Sequence, residues 1–259
     1  MASRKDQKEQ LRAQRLAREN EEQAAARRKR LVQYGALAGL LAVVVVAALI
    51  IASQNNSSDS SGAGAGGDVA DVSLVDNQLK GLPQNGLVLG DPKAKVSVIE
   101  FGDLQCPVCK EFSFQVAPDI ISQIVRKGDA NYEFRPWDII GPQSPIASRA
   151  AYAAGEQGRG WSFIELFYRN QGTENSGYVT DSFLTSIAKG AGVKDLDKWN
   201  SDRSDNSKWD PLLSKNDSDA KSLGFTGTPS ILVEGPGGKK PFTTIPTVAQ
   251  IQAAVKSVS

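Results

Sequence analysis

Alternating and helical-period runs of apolar residues divide the C-terminal two-thirds of the chain into a definite series of elements. Lys95–Phe101 alternates and is β-branched, which predicts a strand. Phe112, Phe114, Val116, Ile120, Ile121 and Ile124 then recur at helical spacing until Gly128, with Pro118 placed to kink or break the helix. Asn131–Arg135 predicts a second strand. A long helical region follows, with segments at Pro145–Glu156, Trp161–Arg169, a Thr180-capped run through Ala188 ended by Gly190, Val193–Asn200, and Lys208–Leu223 closed by Gly224. Trp161, Phe163 and Trp199 lie on the apolar stripes of these helices and are expected to pack in a core. Ser230–Glu234 predicts a strand, Gly235–Gly238 a turn, and the neighbourhood of Lys240–Thr243 a short partner strand. Thr247 is placed to cap a last helix through Val258. Strand, helix, strand, helical block, hairpin, helix is the pattern of a small mixed α/β sheet flanked by helices. About 180 residues suffice for one sizeable core.

The first third of the chain has a different pattern. Leu31–Ala52 is almost wholly apolar, and no charged residue lies between Arg30 and Asp59. A run of that length crosses a ~30 Å hydrocarbon core as a helix. It is longer than the apolar region of a cleaved signal peptide and follows some thirty polar residues, so an uncleaved signal anchor is expected. Arg27-Arg28-Lys29-Arg30 abuts the run, which predicts a cytoplasmic N-terminus and an extracytoplasmic C-terminal part. The expected organisation is a basic cytoplasmic segment (1–30), a transmembrane anchor (31–52), a flexible linker (53–80) that is Gly/Ser-rich over Gln54–Gly67, and a folded domain (81–259).

Charge reinforces this division. Residues 1–30 hold ten Lys/Arg and five Asp/Glu, leaving 20 of the 30 basic and 24 of the 29 acidic residues for the remainder. Interleaved acids dilute the basic segment, which suits a solvated arm near anionic lipid rather than a nucleic-acid partner.

Candidate chemistry narrows to one place. The chain has no histidine and only two cysteines, Cys106 and Cys109. His-ligated zinc, Cys–His proteases and Ser–His–Asp triads are excluded, and two thiols make half of a four-cysteine zinc site. Dithiol/disulfide chemistry on the pair remains, beside a non-reactive short-loop disulfide or an incidental pair. The pair follows a strand and opens a helix, where unpaired N–H groups and the helix dipole stabilise a thiolate. Pro107 suits the first helical position. Cys106 is then the expected exposed nucleophile and Cys109 the more buried resolving thiol. Glu100 ends the preceding strand. It is either an ordinary solvated glutamate or a buried acid that exchanges a proton with Cys109. Thr228-Pro229, just before the Ser230 strand, would with a cis bond present the Thr228 backbone to an extended peptide.

Three stretches together resemble the DsbA-like branch of the thioredoxin superfamily: Gly86–Pro92 with Val96–Phe112, Trp161–Tyr168, and Gly224–Ser230. The resemblance covers about Gly81 to Ser259. It implies a thioredoxin-like α/β fold with a helical insertion at about 139–224, preceded here by the single N-terminal transmembrane helix. It implies a disulfide oxidoreductase acting on exported proteins, with no cofactor or metal of its own and a quinone-linked membrane partner. By resemblance, Cys106 and Cys109 are the active-site pair, Glu100 the buried acid, and Thr228-Pro229 the cis-proline loop. One position departs from the family's strongest oxidants: Val108 stands where they carry histidine. A valine side chain gives the Cys106 thiolate neither hydrogen bond nor charge, so an intermediate pKa within the activated range of ~3.5–7.5 is expected. Disulfide reductase or isomerase activity, a non-catalytic peptide-binding module and metal delivery are the competing functions. The last lacks further ligands, since Met1 is the sole methionine.

Overall fold

The computed structural model describes residues 69–259. The expected basic segment, anchor and Gly/Ser stretch, over residues 1–68, lie outside the described residues. Among the described residues no helix is long and apolar enough to cross a membrane.

A six-stranded sheet runs in the order β1 (Gln84–Asn85), β2 (Val88–Leu89), β4 (Asn131–Pro136), β3 (Ser97–Gly102), β5 (Ser230–Gly235), β6 (Gly238–Phe242). β3 is central, parallel to β4 and antiparallel to β5, with Glu100 opposite Phe134 on one side and Ile231 on the other. Its residues Val98, Ile99 and Phe101 are buried, as a strand covered on both faces requires. β6 carries Lys239, Lys240 and Pro241 on the outer edge, residues that discourage further strand pairing. The β1–β2 pair was not expected from sequence. Two-residue strands are too short to show a period, and the turn rests on Gly86 at φ 59°.

From β3 the chain enters α2 (Pro107–Gln115), breaks at Val116, resumes as α3 (Ala117–Ile120) and continues through a π turn at Ile121–Val125 to Gly128. Pro118 accounts for the break, because it supplies no N–H and its ring crowds the carbonyl four residues earlier. Phe114 faces outward, against Lys110 and Arg169, rather than joining the core stripe.

Between β4 and β5 lie five helices: α4 (Ser144–Gly155), α5 (Gly160–Arg169), α6 (Asp181–Gly190), α7 (Leu196–Ser204) and α8 (Asn206–Ser222). This is the expected helical insertion. Thr180, Asp195 and Asp205 each accept a hydrogen bond from the amide three residues on, fixing the starts of α6, α7 and α8. Trp161, Phe163 and Trp199 are buried, and the two indole N–H groups donate to Leu87 O and Ala150 O at 2.9 and 3.0 Å. The chain closes with α9 (Val248–Val258), opened by a capping box between Thr247 and Gln250.

The expected linker is shorter than residues 53–80. Val72–Leu79 forms α1, with Val75 and Leu79 buried against the core. A helix of eight residues is marginal alone, and tertiary contacts hold this one. Arg126 donates to Gln78 O and Lys80 O at 2.7 and 2.9 Å, and Arg169 reaches Asp71 and Gln78. Both arginines are distant in sequence, so the local pattern did not disclose the helix.

α4 and α5 meet the first hairpin through glycines. A Cβ on Gly160 would stand 2.3 Å from Gly86 O, and one on Gly155 would stand 2.9 Å from the same oxygen. Gly160→Ala is expected to cost about 1–3 kcal/mol, since backbone must move to admit the methyl. Urea denaturation of the variant checks this.

Candidate active site

Cys106 is the N-cap of α2, and Pro107 occupies its first turn. Both cysteines are unbridged. Cys109 N–H donates to Cys106 Sγ at 3.4 Å, so the sulfur itself caps the helix. Cys106 retains only 4 % of its surface, which corrects the expectation of an exposed nucleophile. The neighbouring cis-proline loop covers it: Cys106 Sγ lies 3.5 Å from Thr228 O. Val108 beside it is 47 % exposed and marks the open side.

The two thiols differ in proton affinity. A hydrogen bond from Cys109 lowers the Cys106 pKa to about 6 against the opposing effect of burial, aided by Thr228 and by the amides of Cys109 and Val108. Val108 therefore contributes through its backbone N–H, which its side chain cannot. Burial pushes the Cys109 thiol well above its ordinary range, and the sulfur of Cys106 and the charge of Glu100 add to the effect.

Glu100 is buried beneath the pair on the central strand. Burial raises its pKa to about 8, opposed by the phenol of Tyr132, which donates to Oε2. Oε1 has no partner among the described residues. Sequence reasoning did not single out Tyr132, whose position inside a strand reads as core packing. Its parallel register, two residues before Phe134, which stands opposite Glu100 on β3, was the missing information.

Thr228-Pro229 is a cis peptide bond and immediately precedes β5. The structure thus gathers Cys106, Pro107, Cys109, Glu100, Thr228 and Pro229 at one end of β3, with Val108 at the rim. An open groove of about 570 Å³ leads away from the pair, walled by Pro107, Val108, Lys110 and Glu111 of α2 and by Gln171–Thr173 beyond α5.

A buried loop holds this geometry. Asp103 accepts from the amides of Gln105, Ile139 and Ile140 at 2.8, 2.8 and 2.9 Å. Gln171 donates to Leu104 O and Cys106 O at 2.7 and 3.1 Å. Neither residue was singled out from the sequence, because the partners that tie them to other elements are main-chain groups 36 and 37 or 65 and 67 positions away. Among the described residues, no cluster of three or more His, Cys, Asp or Glu is placed to hold a metal ion.

The arrangement sets a thiol of lowered pKa beside a thiol of raised pKa and a buried acid, which is chemistry suited to disulfide exchange. The sequence model of a family described as thioredoxin matches residues 83–256. A probable disulfide bond formation protein D from Bacillus cereus is 31 % identical over 151 residues, covering 57 % of this chain and 69 % of that protein. Disulfide bond formation protein D of Bacillus subtilis is 33 % identical over 113 residues, covering 43 % of this chain and 49 % of that protein. The structure of oxidised BdbD from Bacillus subtilis has the same fold, with a TM-score of 0.58 and 24 % identity over 68 % of this chain and 95 % of that one. The chain belongs to the thioredoxin family and is a DsbA-like thiol–disulfide oxidoreductase.

Proposed function

We propose that the protein is a membrane-tethered oxidase that forms disulfides in exported proteins through a Cys106/Cys109 cycle. The observation that carries this reading is the unequal pair: a Cys106 thiol with pKa about 6 beside a Cys109 thiol held well above the ordinary range. In the oxidised enzyme, a substrate thiolate attacks Cys106 Sγ and the Cys106–Cys109 bond breaks. Cys109 departs as a thiolate and takes the proton of Glu100, the stronger acid of the two. A second substrate thiolate then attacks the substrate sulfur of the mixed disulfide. Cys106 leaves as a stable thiolate, and the substrate gains its disulfide. Two electrons now reside on the enzyme dithiol, and a quinone-linked membrane partner is the acceptor that would remove them.

Thr228 and Pro229 serve this cycle as the ledge for an extended substrate backbone, next to Cys106. Pro107 and Val108 form the exposed lip. The uncharged run at 31–52 and the basic residues before it support the tether and the extracytoplasmic location. The relatives' name, disulfide bond formation protein, supports the oxidase direction.

A low Cys106 pKa stabilises the reduced enzyme and makes its disulfide a stronger oxidant. The reduction potential is therefore expected well above the ~−270 mV of thioredoxin and short of the ~−120 mV of DsbA, which has the additional histidine. Equilibration with glutathione buffers measures it. A potential at or below that of thioredoxin would reverse the direction and make the protein a reductase.

A further inference from the structure

A second acid is buried near the pair, and the exchange cycle described above does not use it. Glu165 on α5 is 1 % exposed. Ser113 donates to Glu165 Oε2 at 3.2 Å, and Ser113 stands one helical turn beyond Cys109 on the buried face of α2. One turn before Glu165 on α5 is Trp161, whose ring lies 4.5 Å from that of Tyr132, the phenol bonded to Glu100. Glu165 is thus flanked on one side by the helix that carries Cys109 and on the other by Trp161, which packs on the tyrosine that holds Glu100. One turn after it comes Arg169, which bonds Gln78 Oε1 at 3.2 Å and pairs with Asp71 at 3.4 Å.

We propose that Glu165 is a positioning residue for the proton on Glu100: its carboxylate, fixed by Ser113 and balanced by Arg169, keeps that proton in place until Cys109 leaves. The inference rests on the reading of Glu100 as proton donor to Cys109. Two carboxyls in one water-poor region do not both ionise freely, and the better-compensated one ionises first. Glu165 is the better compensated. Burial raises its pKa to about 7, against the pull of Arg169, Ser113 and Gln78. Glu100 has the neutral Tyr132 phenol as its donor and loses its proton later, at about 8, with the Glu165 charge among the causes. The other titratable groups facing Glu100 are Cys106 and Cys109 from α2 and Tyr132 and Tyr168 from β4 and α5; a charge on Cys106 disfavours ionisation of Glu100, whereas the Tyr132 phenol, donating to Oε2, favours it.

The order of ionisation makes the coupling visible. Glu100 ionises against a charge already present on Glu165, whereas Glu165 ionises beside a neutral Glu100. The test is an infrared titration of the buried carboxyl bands in the full-length reduced protein, with exchange rates on a dithiol peptide followed over the same pH range. In E165Q the remaining Glu100 midpoint is expected to fall by about one pH unit, and the alkaline limb of the rate profile to move with it. In E100Q the remaining Glu165 midpoint is expected to stay near 7. Should E165Q not fold, Glu165→Met, which removes the charge and fills the same volume, is expected to give the same fall in midpoint. An unmoved Glu100 midpoint in the folded Glu165 variant overturns the inference while leaving the Cys106/Cys109 cycle intact. Exchange that persists in Cys106→Ser overturns the cycle itself.

Discussion

Cys106→Ser is expected to reduce thiol–disulfide exchange by roughly a thousandfold or more, because the attacked or attacking sulfur disappears and a hydroxyl does not substitute for it. The measurement is the rate of disulfide formation in a reduced, unfolded substrate under a glutathione buffer. Retained activity would remove Cys106 from the mechanism. Cys109→Ala is expected to behave differently. It leaves an attacking Cys106 without its resolving partner, so mixed disulfides with substrate accumulate and are visible on a non-reducing gel. It also removes the hydrogen bond that contributes most to the low pKa of Cys106, which should rise from about 6. Thiolate absorbance followed against pH reads that rise directly.

Glu100→Gln has the second largest expected effect, in kinetics and in stability. Glutamine keeps the shape of a protonated glutamate but supplies no proton. Loss of one general acid slows its step by about 10²-fold or more, and here that step is release of Cys109. The stability effect has a definite sign. The carboxyl titrates at about 8 in the fold and at 4.5 when unperturbed. Between those values the folded state binds more protons than the unfolded state, so stability declines as pH rises. The contribution is complete below about 4.5 and lost as pH passes through about 8. Wild type and E100Q should therefore be similarly stable in acid, with E100Q the more stable by on the order of a few kcal/mol above pH 8. Urea melts at pH 5 and pH 9 make the comparison. A constant difference between the two would contradict the buried, neutral form of Glu100.

The parts of this molecule legible in its sequence are those whose cause is local. A proline after Cys106, a threonine before Asp181 and the β-branched apolar run Val96–Phe101 each carry their structural meaning within a few residues. The helices of the insertion and the central strands follow from such signals. The cysteine pair was legible because the chain has no competing thiol or histidine. Glu100 was legible as a candidate through its place at the strand end, and its burial required the tertiary fold. The α1 helix and the roles of Asp103, Tyr132, Glu165 and Gln171 were not legible, since each depends on a partner far along the chain. Arg126 and Arg169 hold α1, and the Tyr132 side chain acquires its meaning from a parallel strand that the sequence places 32 positions earlier. The burial of Cys106 likewise comes from Thr228, 122 positions away.

The Asp103 carboxylate binds the loop before Cys106 and the first residues of the insertion with the same side chain. The two parts are therefore mechanically joined. A change in the backbone path at Ile139–Ile140 is expected to be felt three residues before Cys106, through the carboxylate that both segments share. The helical block is the remote half of the support that keeps the cysteine pair in register.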